Sequence, residues 1–588
     1  MWMRIVDRAV LLAVAVCCGM TFCKAAEEGA TGGRMKERLG RGLIARPLAD
    51  GSVYLGWRLL ETDPPGVGFN VYREAGQGKP VRLTEEPVSR TTDFTDTSAP
   101  AGTACRWYVR AVIDGREGEP SRAAEAVGGR PSQPYLRIEL AGDYTFQKAG
   151  IADLDGDGRY DFVIKQPNEN IDPYVRYWKP SPGTYKLEAY DHDGRFLWRY
   201  DLGWAIERGI WYSPYVVYDL DGDGRAEVAA KTGEGDPRDP DGRVRSGPEY
   251  LSLLEGTTGR VITRVDWPSR EGFDGERGYN YASRNQLCVA YLDGRRPHLV
   301  VERGTYNIMK LVAYTFDGRR LREVWRWDNT DLPRSYWGQG AHWMHAADVD
   351  GDGRDEVVLG SSVVDHNGKA LWSTGLGHPD HCYVGDIDPD RPGLEIYYGM
   401  ETRQRQRNGM CLVDAATGKI LWGHEGFTRH VHSRGMCSDI DPRYRGSECY
   451  SADTDSEKRY AWSKLRTCRG EVISEENLGG FGALVVHWDA DPQRELILDG
   501  RVQDYRGGAH VSIQGHVAAI ADVVGDWREE IITSVRGQLR IYTTTIPARD
   551  RRVCLMQDPL YRMDVVVAAM GYYQAPMTSY DLATSRTP

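Results

Sequence analysis

Asp153-Leu-Asp-Gly-Asp-Gly-Arg-Tyr-Asp161 runs straight into the apolar Phe162-Val-Ile164. The same phrase returns as Asp219-Leu-Asp-Gly-Asp-Gly-Arg-Ala-Glu227 and Asp348-Val-Asp-Gly-Asp-Gly-Arg-Asp-Glu356. Looser copies are Asp386-Ile-Asp-Pro-Asp390 reaching Glu395, Asp439-Ile-Asp441 reaching Glu448, Asp489-Ala-Asp491 reaching Glu495, and Asp522 reaching Glu530. A worn copy stands at Tyr291-Leu-Asp-Gly294. Carboxylates at the first, third, fifth and ninth places of a tight loop, with glycine at the sharp turns, supply the hard oxygen ligands that calcium prefers. The candidate ligands are therefore Asp153, Asp155, Asp157 and Asp161; Asp219, Asp221, Asp223 and Glu227; Asp348, Asp350, Asp352 and Glu356; Asp386, Asp388, Asp390 and Glu395; and Asp439, Asp441 and Glu448. Several bound Ca2+ ions are expected. One phrase repeated along one chain indicates a repeat array, a propeller or solenoid, and not a string of unrelated domains.

Around each acid loop the pattern is short apolar strands joined by turns. Hairpins such as Leu187-Glu-Ala-Tyr-Asp-His-Asp-Gly-Arg-Phe-Leu-Trp198 and Cys411-Leu-Val-Asp-Ala-Ala-Thr-Gly-Lys-Ile-Leu-Trp422 turn at Asp-Gly or Thr-Gly, as tight β-connections require. Long stretches of helical period are few. Eight units of four strands closing on themselves leave no exposed sheet edge, which favours a propeller over an open solenoid. The fold class expected is all-β, an eight-bladed β-propeller over residues 131–588. Before it, Ser52-Val-Tyr-Leu-Gly-Trp57, Phe69-Asn-Val-Tyr-Arg73 and Cys105-Arg-Trp-Tyr-Val-Arg-Ala-Val112 alternate like the strands of a small fibronectin-type β-sandwich, placed at residues 39–130. Residues 26–38 read as a polar linker.

The formal charge of −11 over 588 residues argues against nucleic acid as a partner. Arg4 and Arg8 precede the apolar run Ala9–Phe22, and Cys23-Lys-Ala25 before Ala26 offers a small-residue cleavage site, so residues 1–25 read as a signal peptide. A secreted or periplasmic location follows. Cys17, Cys18 and Cys23 admit a lipoprotein as the competing reading, but none follows the expected Leu-x-small pattern. No segment is apolar enough to span a bilayer, and a monomer is expected. Beyond the leader stand Cys105, Cys288, Cys382, Cys411, Cys437, Cys449, Cys468 and Cys554; Cys437–Cys449 is the pair expected to bridge, if any does.

The strings Asp161-Phe-Val-Ile-Lys165, Pro214 to Asp236, Gly375 to Gly399 and Asp522 to Ile531 resemble the rhamnogalacturonan lyases, and the similarity runs over essentially the whole mature chain. The resemblance implies secreted pectin-degrading enzymes with a fibronectin-like leader domain and a calcium-rich eight-bladed propeller, and a β-elimination at the linkage between rhamnose and a uronic acid of an acidic plant polysaccharide. Such chemistry needs positive charge on the uronate carboxylate, a base near C5 and a donor near the leaving oxygen. The resemblance assigns His342 and His378 to the active cleft and to a Ca2+ there, Arg434 to the uronate, and Tyr572 to sugar contact. Arg303 and Tyr306 resemble another cleft motif, and His345 or Tyr572 is the candidate base.

Two departures stand out. Where relatives carry Asn-Gly-Thr-Lys, this chain reads Val511-Ser-Ile-Gln514, without the lysine; and Ala575-Pro-Met-Thr-Ser579 replaces Pro-Pro-His-Pro-Ser. A rhamnose–glucuronate glycan is therefore the alternative substrate. A calcium-dependent glycan-binding propeller without catalysis, and a glycoside hydrolase, are the alternatives from other classes.

Overall fold

The structure, a computed structural model, describes residues 33–275 and 277–584. The signal peptide read at 1–25 and the start of the linker lie outside those residues. Eight four-stranded antiparallel sheets follow one another from Lys148 to Tyr542. They are numbered here as blades 1 to 8, with first strands Lys148–Ala152, Tyr215–Tyr218, Asn285–Ala290, Gly340–Ala347, Pro379–Gly385, Met436–Ser438, Leu484–Val486 and His516–Ala521. Blade 8 borrows its outermost strand from the other end of the repeat array: Tyr135–Glu139 pairs with Gln538–Tyr542. That pairing satisfies two sheet edges at once and closes the ring.

Each acid loop joins the first strand of a blade to the second, and one hydrogen bond recurs in it. The carboxylate that ends the loop accepts the backbone N–H of the second loop residue: Asp161 from Leu154 at 2.8 Å, Glu227 from Leu220 at 3.0 Å, Glu356 from Val349 at 3.0 Å, and Glu448 from Ile440 at 2.9 Å. Asp153, Asp155 and Asp161 bring ligand oxygens together in blade 1, whereas Asp157 turns outward to Arg159 and Arg122. Asp390 and Asp441 are likewise taken by arginines. Burial pushes Glu227 and Glu448 up to about 9 and Asp161 up to about 7. The buried Oε1 of Glu448 and Oδ1 of Asp386 and Asp439 have no hydrogen-bond partner. Such orphaned carboxyl oxygens fit cation ligands. In the worn copy no carboxylate stands at the start of the second strand, which opens on His298.

Blades are clipped together by the tryptophans that end the hairpins. Trp198 donates to Gly256 O at 2.6 Å, Trp372 to Ala415 O at 3.0 Å and Trp422 to Cys468 O at 2.7 Å, each across to the next blade.

Helix α1 (Gly278–Ala282) is a single short turn before blade 3. Helix α2 (Pro559–Val567) is apolar nearly all round and packs on the first strands of blades 1, 2, 3, 4 and 8, so it fills the channel. Asp558 caps it by accepting the Tyr561 N–H at 2.8 Å. Its two buried charges are paired: Arg562 with Glu37 and Asp564 with His345, at 2.6 and 2.7 Å. Glu37, together with Arg34 on Asp355 at 2.9 Å, fastens residues read as linker to the propeller.

The N-terminal β-domain has a three-stranded sheet of Ile44–Pro47, Val53–Gly56 and Asp93–Asp96 facing a five-stranded one. Trp57, Phe69 and Trp107 fill the space between them. It rests on the acid-loop end of blade 8, where Tyr54 accepts from Arg528 at 2.8 Å. Cys437 and Cys449 face each other in register with sulfurs 3.9 Å apart, as free thiols and not the expected bridge. A disulfide needs about 2.05 Å, and the strand pairing holds the two thiols farther apart than that.

Candidate functional site

First strands end in the acid loops, so their starting ends open on the opposite face, and there the histidines gather. His342 lies on the first strand of blade 4, His378 and Asp380 lead into and open that of blade 5, and Glu401 follows the second strand of blade 5. Nε2 of His342 and Nε2 of His378 are 3.2 Å apart. Asp380 Oδ1 lies 3.4 Å from the first and Glu401 Oε2 3.0 Å from the second. These four groups place ligand atoms within 4.8 Å of one another.

The protonation pattern suits a ligand set. His378 Nδ1 lies against the Gly340 carbonyl, which assigns the proton to Nδ1 and leaves the Nε2 lone pair aimed at the cluster. Burial and the neighbouring His378 hold His342 well below its usual range. For Asp380 burial favours the neutral acid, but the hydrogen bond from His432 outweighs it and keeps the carboxylate ionised. Two imidazoles and two carboxylates around one point fit a divalent cation; water and a substrate carboxylate would complete the oxygen shell that Ca2+ takes.

His432 Nδ1 sits 2.8 Å from Asp380 Oδ2 and 3.0 Å from His430 Nε2. Burial opposes its charge, yet Asp380 outweighs burial and raises it. Ser433, at φ 64°, turns the chain sharply between His432 and Arg434, and its N–H donates to Asp380.

The floor of the cleft comes from the segment after α2. Gly571, beyond the end of α2, has φ 57°, and a Cβ there would lie 2.7 Å from the His342 carbonyl oxygen, so only glycine makes this turn. Tyr572 then lies on His342 and Trp211, with ring centroids 4.8 and 5.3 Å away. Burial, then the Asp380 charge, raises its phenol above the ordinary range. Tyr306 closes the near side, its hydroxyl 3.3 Å from His342 Nε2 and its ring 4.5 Å from that of His378. Beyond it Arg284 grips Asp172 through two hydrogen bonds of 2.8 and 3.0 Å, and its guanidinium lies over Trp211 at 5.1 Å.

Of the residues singled out from sequence, His342, His378 and Tyr572 meet here, with Arg434 on the loop that carries His432. His345 and Arg303 lie elsewhere. His345 points away from His342 into the channel, between Asp564 at 2.7 Å and the Cys382 carbonyl at 2.6 Å. Burial alone would lower it; the Asp564 charge raises it to about 10. Arg303 is fully buried beneath the cleft, donating to the carbonyls of Pro268 and Ala282 and to Glu249. Glu401, Asp172 and Arg284 were not singled out. No repeated residue marks Glu401: the position after the second strand holds Glu401 in blade 5 and Pro167 in blade 1. Asp172 and Arg284 stand in insertions that the repeat does not predict.

Residues 131–587 match the family model described as rhamnogalacturonan lyase family 11, C-terminal domain, and residues 34–127 match that of the rhamnogalacturonan I lyases beta-sheet domain. The rhamnogalacturonan endolyase YesW of Bacillus subtilis is 38% identical, the alignment covering 98% of this chain and 95% of that protein. The rhamnogalacturonan exolyase YesX of the same organism is 37% identical over 94% and 96%. The crystal structure of exotype YesX superposes with a TM-score of 0.85 at 35% identity, covering 95% of this chain and 98% of its own. That of a Bacillus licheniformis rhamnogalacturonan lyase superposes at 0.84 and 35%, covering 95% and 99%.

Proposed function

The chain belongs to rhamnogalacturonan lyase family 11 and is a polysaccharide lyase acting on rhamnogalacturonan, and from that premise we propose that the His342–His378–Asp380–Glu401 cleft is where the polymer is cut. The observation that carries the assignment is the convergence of two imidazole Nε2 atoms and two buried carboxylates on one point at the mouth of the ring. His342, His378, Asp380 and Glu401 hold a divalent cation, Ca2+ on the family resemblance, which when bound supplies positive charge to the uronate carboxylate. His432 keeps Asp380 ionised and oriented. Tyr306 and Arg284 fix the imidazoles and the wall against which a sugar ring lies. Tyr572, kept a phenol by burial, donates a hydrogen bond toward the leaving oxygen. Arg434 adds the second positive charge that a uronate needs. Tyr174, Arg243, Arg270 and Tyr279 line an adjoining hollow of about 780 Å³, which extends the cleft for further sugars of the chain.

We read the acid loops as structural Ca2+ sites on the face away from the cleft, and the protein as exported to a compartment that supplies the ion. The experiment is incubation with rhamnogalacturonan while following the ultraviolet absorbance of the C4–C5 unsaturated uronate. A rise that requires added divalent cation supports the reading; no rise, with the polymer otherwise cut, sinks it. A rhamnose–glucuronate glycan belongs in the same assay, because Val511–Gln514 lacks the lysine found in relatives.

A further inference from the structure

Three lysines are buried among the described residues: Lys148, Lys165 and Lys231. Lys231 pairs with Glu249 at 2.6 Å. Lys165 donates to Ser213 O and Oγ at 2.9 and 3.0 Å. Lys148, 6% exposed at the start of the first strand of blade 1, has neither a side-chain hydrogen bond nor an ion pair among the described residues. Its position is at the cleft face, since its strand runs from there down to the Asp153 loop. The ammonium lies 6.0 Å from the centroid of Tyr573, the residue after Tyr572. The charge of Arg434, two residues beyond His432, acts on it, and among the described residues Arg434 forms no side-chain bond of its own. His516, at the start of blade 8, stands beside both, its Nε2 3.2 Å from the Gln147 carbonyl. The groups that face Lys148 are thus Arg434, His516, Lys165 and the ring of Tyr573, with no carboxylate among them.

A buried amine ringed by cations and aromatic carbon has two uses: it receives an anion, or it stands neutral as a base. Both describe a uronate subsite. We propose that Lys148 removes the C5 proton of the uronate held by Arg434. The proposal rests on the lyase reading above. In this step the Lys148 amine accepts the C5 proton, the C–H electron pair becomes the C4–C5 double bond, and the C4–O bond breaks with its pair on the leaving oxygen. That oxygen is protonated from Tyr572 or water, and the Lys148 ammonium returns its proton to solvent. Burial, and then the Arg434 charge, push Lys148 down to about 7, so a working fraction is neutral where the reaction runs.

The test compares the full-length parent with Lys148→Ala and Lys148→Arg on rhamnogalacturonan. Lys148→Ala is expected to lose about a hundredfold or more in kcat, the span of general-base catalysis, with KM changed only a few-fold and the melting temperature unmoved. Added primary alkylamines should restore part of the rate, more for the more basic amine at equal free-base concentration. Lys148→Arg keeps the charge but cannot lose its proton, and should stay as slow as Lys148→Ala. An active parent with an active Lys148→Arg, or a Lys148→Ala that amines do not rescue, overturns the inference alone. A parent that makes no unsaturated product overturns the lyase reading beneath it.

Discussion

His345 separates a structural histidine from a catalytic one. Its imidazole is 1% exposed, wedged between the Asp564 carboxylate of α2 and the Cys382 carbonyl of blade 5. It therefore ties the channel helix to the ring. In His345→Leu the carboxylate of Asp564 keeps only the N–H of Met577, 3.1 Å away, inside a dry channel. Losing one partner of a buried pair costs about 3 to 5 kcal/mol, against a total stability on the order of 10 kcal/mol for a typical fold. The sign with pH is fixed. The folded-state value of about 10 lies above the ordinary 6.5, so the stabilisation is complete below about 6.5 and is lost as pH rises through about 10. The melting temperatures of parent and His345→Leu, scanned in calorimetry from about pH 6 to about pH 10, should differ by several degrees at the acid end and converge at the alkaline end. Turnover by the folded variant at moderate temperature should stay within a factor of about three of the parent. A hundredfold loss of kcat with an unchanged melting curve would refute the reasoning and return His345 to the chemistry.

Other consequences are as direct. His378→Ala and Glu401→Gln should each cut kcat by roughly a hundredfold, about 3 kcal/mol of lost charge stabilisation, while the thermal transition barely moves; steady-state kinetics with calorimetry checks this. Chelation should lower the melting temperature, because binding to the native state alone stabilises by mass action. The chelated protein should also lose stability as pH rises from about 5 to about 8: the raised values of Glu395, about 7, and Glu448, about 9, mean the folded state holds protons that the unfolded one releases. Saturating Ca2+ should remove that slope. Gly571→Ala forces a side chain against the His342 carbonyl and should lower both melting temperature and kcat. Dithiothreitol should leave the melting curve unchanged, since Cys437 and Cys449 are free thiols.

Much of this was legible in the chain because the acid loop is a local device. Its carboxylates bind the backbone of their own turn, so spacing alone announces it seven times, and even the worn copy at Tyr291 marks a true blade. Closure was less visible: Tyr135–Glu139 joins blade 8 only by reaching around the ring, and nothing in its own sequence says so. Helix α2 escaped notice because Arg562 and Asp564 interrupt an apolar segment, and their neutralising partners, Glu37 and His345, are distant in sequence. The site divides in the same way. His342 and His378 stand in motifs long enough to match a family. Arg303 matched a motif too, yet its guanidinium is spent on Glu249 and two carbonyls beneath the cleft. Glu401 and Lys148 carry no motif; only the burial and partnership of their side chains distinguish them from dozens of other charged residues.

The central claim is that this cleft breaks rhamnogalacturonan by elimination and not by hydrolysis. Mass spectrometry of oligosaccharides released by the parent enzyme and by His378→Ala decides it. Every new non-reducing end made by the parent is expected to be one water lighter than its hydrolysis counterpart, and His378→Ala to yield almost none. Fully hydrated ends from the parent, or unsaturated ends in undiminished yield from His378→Ala, would contradict it.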